Sequence, residues 1–184
     1  LALLVLCLLV VPAGAWQDDF QSGTGYGWTQ SGSGTVSIAP SPYSDTYLMR
    51  MVKGGYSLSA YANPNQNFNY VAFTVVSGSG DLGDYDWCID LESESGTLIC
   101  SIDILPFCYG ETPCRVEIIR DGAVAYIYVN GVQKATAACN GQPYNFAIRV
   151  VSSWAITLVI DDVVIGGSEP NILGIIPEDW YVLK

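Results

Sequence analysis

Two tight-turn dipeptides bracketing one short apolar run constrain this chain more than any other feature. Asp121-Gly122 separates RVEIIR from AVAYIYV, and Asn130-Gly131 separates that run from VQKATAA. Both dipeptides accept the positive φ angles of a tight hairpin turn, so three consecutive antiparallel strands follow. In the middle strand Ala125, Ile127 and Val129 share one face and Val124, Tyr126 and Tyr128 the other. One face packs between layers while the second carries aromatic rings outward.

The same two-residue alternation, or a solid apolar run bounded by turn residues, recurs along the chain, and no window shows a 3.6-residue period. Candidate strands are Thr35–Ala39, Tyr47–Val52, Tyr56–Tyr61, Tyr70–Val76, Trp87–Glu92, Thr97–Ile104, Arg115–Arg120, Val124–Asn130, Val132–Ala138, Asn145–Val151 and Ala155–Val164. An all-β chain of this many strands needs two packed sheets or a barrel. Composition agrees: 14% charged residues, 50% hydrophobic, 19 Gly and 9 Pro exclude a coiled coil, a helix bundle and a disordered chain. A length of 184 residues suits one domain. Gly32-Ser33-Gly34, Gly54-Gly55 and Gly78-Ser79-Gly80 read as turns, since none precedes a helix with a lysine as a phosphate cradle would.

Residues 1–15, LALLVLCLLVVPAGA, form an uncharged apolar run ending in Ala13-Gly14-Ala15, which meets the small-x-small rule of signal cleavage. Cleavage before Trp16 is expected, Cys7 leaving with the leader. The run falls short of the ~20 residues of a membrane-spanning helix; retention as a hydrophobic assembly element is the alternative. Beyond the break at Gly166-Gly167-Ser168-Glu169-Pro170, residues 169–184 are expected to be a linker or the start of a following module. The domain is then 16–168, part of a larger secreted or cell-surface protein.

Net charge of −11 gives the wrong sign for nucleic acid or an anionic membrane. The absence of histidine excludes a Ser-His-Asp triad, a Cys-His pair and His-ligated zinc. Without histidine or a buried lysine partner, no serine or threonine qualifies as an activated nucleophile.

Five cysteines remain after the leader, an odd number, so at least one is free or paired elsewhere. Cys108 and Cys114 flank a turn-rich loop and are the preferred disulfide. A four-residue turn at Ser93–Gly96 would set Leu91 opposite Leu98, Ile89 opposite Cys100 and Trp87 opposite Ile102. That register sends Cys88 and Cys100 to opposite faces, disfavouring a bridge between them. Cys100 then reads as a small buried hydrophobe, and Cys88 meets Cys139 only if the tertiary fold brings them together.

The stretch RVEIIRDGAVAYIYVNGVQKAT resembles the hairpins of concanavalin A-like and laminin G-like jelly rolls. Asp18-Asp19-Phe20 with Trp28, and the closing Val159-Ile160-Asp161-Asp162-Val163-Val164, resemble the ends of such modules. The resemblance implies a two-sheet antiparallel jelly-roll sandwich and, more loosely, binding of a glycan or cell-surface ligand. Cys88-Ile89-Asp90-Leu91-Glu92 is also similar to the Glu-x-Asp-x-Glu strand of laminarinase-like glycoside hydrolases, whose first Glu is the nucleophile and last the acid/base. Here Cys88 stands at the nucleophile's place, and retaining hydrolysis needs two carboxyls ~5–5.5 Å apart. Asp90 and Glu92 make a pair, but not in those roles; an acidic, solvent-facing strand is the plainer reading.

Asp84, Asp86, Asp90 and Glu92 fall on one strand face, with Asp81 and Glu94 near its ends, an oxygen-rich set that calcium prefers. A second candidate calcium site pairs Asp18 or Asp19 with Asp161 or Asp162, if the first and last strands are neighbours. Solvated surface charge is the alternative for each. For sugar stacking the candidates are Tyr126 and Tyr128, about 7 Å apart on one face, and Trp154 at a turn; packing is the plainer role for any single ring, and Trp87 reads as core. Asp90 and Glu92 would accept hydroxyl hydrogen bonds if their strand shared that face. The expectation is a secreted, non-catalytic carbohydrate- or surface-binding module, with a structural building block of a surface assembly or a glycoside hydrolase-like domain as alternatives.

Overall fold

The computed structural model describes residues 16–23, 27–40, 47–78, 85–110, 113–152 and 156–166. The expected leader and the C-terminal linker lie outside these residues. Eleven strands run in chain order: β1 (Trp16–Asp18), β2 (Trp28–Pro40), β3 (Tyr47–Ala62), β4 (Tyr70–Gly78), β5 (Tyr85–Glu92), β6 (Leu98–Asp103), β7 (Cys114–Asp121), β8 (Val124–Val129), β9 (Val132–Ala138), β10 (Asn145–Ser152) and β11 (Ile156–Gly166). One helical turn, α1 (Leu105–Cys108), lies between β6 and β7.

The strands follow the order β6-β5-β10-β3-β11-β4-β7-β8-β9, with β2 beside β3 and β1 beside β11, and every pair is antiparallel. β3 serves both layers. Its second half, Ser57–Ala62, pairs with β10, and its first half, Met49–Lys53, pairs with β11. β2 follows the same bend, Trp28–Gly32 against the second half of β3 and Gly34–Pro40 against the first. The result is a two-sheet antiparallel jelly-roll sandwich. The first sheet is β6-β5-β10 with the later part of β3; the second is the earlier part of β3 with β11-β4-β7-β8-β9.

Strand alternation fills the space between the sheets. Trp87, Ile89 and Leu91 of β5 and Phe146, Ile148 and Val150 of β10 meet Val71, Phe73 and Val75 of β4 and Ala125, Ile127 and Val129 of β8, all within one buried core. The rings of Phe73 and Phe146, one from each sheet, lie 6.0 Å apart and tilted by 49°. Each such large side chain contributes on the order of 1.5–3 kcal/mol by leaving water.

Three sequence expectations need correction. Gly54-Gly55 is no turn: β3 runs through it as one strand. Gly32-Ser33-Gly34 likewise lies inside β2, as an irregularity in its pairing. Gly32 and Gly34 both have positive φ, and a Cβ at either would collide with a carbonyl oxygen of β3, Ser57 or Val52. Glycine is required there because two strands bend together, not because the chain reverses. In the β5–β6 hairpin, Leu91 lies opposite Cys100 and Ile89 opposite Ile102, two residues from the expected register, with a bulge between Leu91 and Glu92. A shift of two keeps every side chain on its face, so Cys100 still joins the core.

Cys108 and Cys114 form a disulfide, with Cα atoms 5.9 Å apart. The Asp121-Gly122 and Asn130-Gly131 turns link β7, β8 and β9 in consecutive register, with Gly122, Asn130 and Gly131 at positive φ.

Candidate functional site

On β5 the residues between the core positions, Asp86, Cys88, Asp90 and Glu92, point to the outer face of the first sheet. On β10 the outward residues include Asn145, Ala147 and Arg149. Register sets Arg149 opposite Cys88 and Ala147 opposite Asp90. The Arg149 guanidinium reaches diagonally to the carboxylate, Nε donating to Asp90 Oδ2 at 2.5 Å and Nη2 to Oδ1 at 3.1 Å. From β6, Ser101 Oγ donates to Asp90 Oδ1 at 2.5 Å and accepts from Arg149 Nη2 at 3.2 Å. Asp90 is buried, and this two-pronged charge-assisted pairing is what permits its burial.

One transverse row therefore crosses five strands: Thr29 opposite Tyr61, Tyr61 opposite Ala147, Ala147 opposite Asp90, and Asp90 opposite Ser101. Beside it Glu92 lies opposite Asn145. Thr29, Tyr61, Asn63, Glu92 and Asn145, with Gly27 and Ala62, line a cleft of about 310 Å³. It combines one half-buried aromatic ring with a carboxyl group and two amides. Asn145 Nδ2 donates to the Ser93 carbonyl at 2.9 Å, which fixes its amide. Burial raises the Glu92 pKa above the ordinary carboxyl value, with a smaller contribution from the Asp90 charge. Cys88, which faces outward but is buried, has its thiol pushed up to about 11, mainly by burial, with Arg149 opposing and Asp90, Asp103 and Asp86 assisting.

Of the expected ligand residues, the structure brings Asp90 and Glu92 to one face and separates them from Tyr126 and Tyr128. The two tyrosines lie half-buried on the outer face of the second sheet, where Tyr128 is opposite Glu117 and Tyr126 opposite Ile119. The expected composite site is thus corrected: the carboxylates and tyrosines occupy opposite surfaces of the sandwich. Alternation fixed the face of each strand but not which sheet the β7–β9 meander joins. Trp154 and Asp84, with Asp81, lie outside the described residues. Trp87 is core.

The sequence reading missed Tyr61, Asn63 and Asn145. The pairing of β3 between β2 and β10 makes them neighbours of Glu92, and no local motif carries that information. It also missed Lys53, which is buried at the bend of β3 and donates from Nζ to the Gly55 carbonyl.

The first and last strands are neighbours, as the second calcium expectation required: Asp18 lies opposite Val163. Asp18 uses Oδ1 to accept from the Phe20 amide at 2.8 Å and Oδ2 to accept from Trp28 Nε1 at 3.0 Å. Asp161 is pushed up to about 7 by burial first and by Asp162 second, with Asp19 and Asp18 adding. Burial also raises Asp162, with Arg115 opposing and Asp19 adding. Among the described residues, no group of three or more His, Cys, Asp or Glu is arranged to hold a metal ion, at this place or around Asp86. Nor is any helix among them long and apolar enough to cross a membrane.

The sequence matches no protein-family model and no curated protein. Solved structures do share the architecture. A sialidase superimposes with a TM-score of 0.66 at 10% identity, over 84% of this chain and 18% of that one. A cellulose-induced protein, Cip1, gives 0.61 at 15% identity over 83% of this chain and 97% of its own. A Bacillus licheniformis beta-glucanase gives 0.54 at 10% identity over 83% and 98%. The fold is a concanavalin-like jelly roll. This chain spans less than a fifth of the sialidase's length.

Proposed function

We propose that this domain is a secreted, non-catalytic carbohydrate-binding module whose site is the outer face of the first sheet around Tyr61, Asn63, Glu92 and Asn145. The observation that carries the reading is the cleft itself, where an aromatic ring, a carboxyl and two amides converge. A pyranose offers an apolar face to such a ring and hydroxyls to such polar groups. The net charge of −11 favours a neutral glycan over a sulfated or uronic one. Neutral β-glucans are the first candidates, since a beta-glucanase shares the fold.

Binding without hydrolysis is the preferred reading because the carboxylates are not free to act as a pair. Asp90 spends its oxygens on Arg149 and Ser101. Cys88, two residues before it on the same face, supplies a protonated thiol at neutral pH. Hydrolysis is the second reading, favoured by the raised Glu92 pKa, which suits a general acid.

The test is calorimetry with soluble mixed-linkage β-glucan, in calcium and in chelator, alongside reducing-sugar release. Binding in wild type that weakens about ten-fold or more in Tyr61→Ala and in Glu92→Gln, with no sugar release, is the expected result; about 1.4 kcal/mol corresponds to ten-fold. Sugar release lost in Glu92→Gln would establish the hydrolase reading instead. Failure to bind any of a panel of neutral glycans overturns both.

A further inference from the structure

The strand path ends at β6 in the first sheet and β9 in the second, and no backbone pairing joins these two strands. They nevertheless approach each other at the side of the sandwich away from the β2–β3 bend. Cys100, in the middle of β6, points inward; Cys139 follows the last residue of β9 and is held by its amide, which donates to the Ala123 carbonyl at 2.8 Å. Both side chains are buried in the same core, at 5% and 0% exposure. In the structure both are thiols; burial raises the pKa of each, the two act on one another's titration, and Arg120 opposes the rise at Cys139. Just beyond, Gly141 packs against the Ile99 side chain, fixing the approach of the two segments.

We infer that Cys100 and Cys139 are oxidised to a second disulfide that fastens the two sheets together at their otherwise unpaired edge. The two cysteines lie buried in one core on adjoining segments of separate sheets, within the reach that a cross-link between those sheets needs, and the expected export route supplies an oxidising compartment. The arrangement also resolves the odd cysteine count. Cys108 pairs with Cys114, Cys100 with Cys139, and Cys88, facing the outer surface, stays a thiol.

The oxidant is a disulfide of the secretory pathway, small-molecule or enzyme-borne. The Cys139 thiolate attacks one sulfur of that disulfide and expels the other as a thiolate. Cys100 then gives up its proton and displaces the remaining thiol from Cys139. In sum, two protein thiols lose two electrons and two protons, and one disulfide becomes two thiols. Because both sulfurs are buried in the folded domain, the exchange precedes or accompanies closure of the sandwich.

The full chain is produced through a eukaryotic secretory host, unfolded without reductant in the presence of an alkylating agent, and digested with trypsin and a glutamate-specific protease. Cleavage at Glu92 or Glu94 separates Cys88 from Cys100, further cleavage before Asp103 by an aspartate-specific protease separates Cys100 from Cys108, and cleavage at Lys134 isolates Cys139. The expected result is a cross-linked species joining the Cys100 and Cys139 peptides, lost on reduction, with Cys88 alkylated. In Cys100→Ser, Cys139 becomes alkylated and Cys108–Cys114 persists. Alkylation of both Cys100 and Cys139 in the wild-type chain, or linkage of either to Cys88, overturns the inference. The wild-type digest decides it whether or not the variant folds.

Discussion

Replacing Arg149 by methionine keeps most of the aliphatic stem that packs on β10 but strands Asp90. The carboxylate loses both guanidinium hydrogen bonds and retains only Ser101 Oγ. Removing one partner of a fully buried pair costs about 3–5 kcal/mol. Here the Asp90 side chain is 8% exposed and that of Arg149 30%, so water reaches the vacated position and takes over part of the lost solvation. A cost of roughly 2–3 kcal/mol follows after that discount. For a domain of this size it corresponds to a fall in Tm of about 5–10 °C. The reverse change, Asp90→Asn, should cost less, about 1 kcal/mol, because the remaining guanidinium still reaches solvent. Urea denaturation of the two single variants and the double variant gives the cycle, with a coupling of at least about 1 kcal/mol expected. An Arg149→Met variant within about 0.5 kcal/mol of wild type, or a strictly additive double variant, would refute the assignment of this pair as a buried, mutually dependent unit.

Asp161, raised to about 7, takes up a proton more readily folded than unfolded, so its contribution to stability is fully present below the ordinary carboxyl pKa and is lost as pH rises through about 7. Because the group is only half-buried, solvent screening holds the effect to roughly 1 kcal/mol. Asp161→Asn should remove it, lessening the fall in Tm between pH 4 and 7 and raising Tm at pH 8; an unchanged Tm profile would contradict the burial and Asp162 repulsion invoked. Gly78→Ala places a Cβ inside the Trp87 ring's space. Displacing that buried indole should cost about 1–3 kcal/mol and alter the near-ultraviolet circular dichroism, and a neutral substitution would show the ring is not seated against Gly78.

What the sequence made legible is what short-range physics controls. The Asp121-Gly122 and Asn130-Gly131 turns and the inward faces of β4, β5, β8 and β10 follow from turn chemistry and a two-residue period, and the Cys108–Cys114 pairing from a short turn-rich loop. The composite site failed for a reason of the same kind. Tyr126 and Tyr128 were placed on the correct outer face of their strand, but nothing between Arg115 and Ala138 states which sheet that meander extends. Likewise Tyr61 has no local mark of function. It becomes a neighbour of Glu92 only because β3 lies between β2 and β10, partners that are distant in sequence.

The glycines at the bend show why local reading was insufficient even where the residues were conspicuous. Gly32 and Gly34 signal a conformation that other residues rarely adopt, and a reversal is the commonest use of one. In this fold the same freedom instead carries a two-stranded ribbon from one sheet into the other. Trp28 and Thr29 before the bulge belong to the first sheet, and Val36 and Ile38 after it to the second. The bend therefore determines where Thr29 and Tyr61 stand relative to Glu92. The cleft is built by tertiary pairing around an irregularity, rather than by a motif within any one strand.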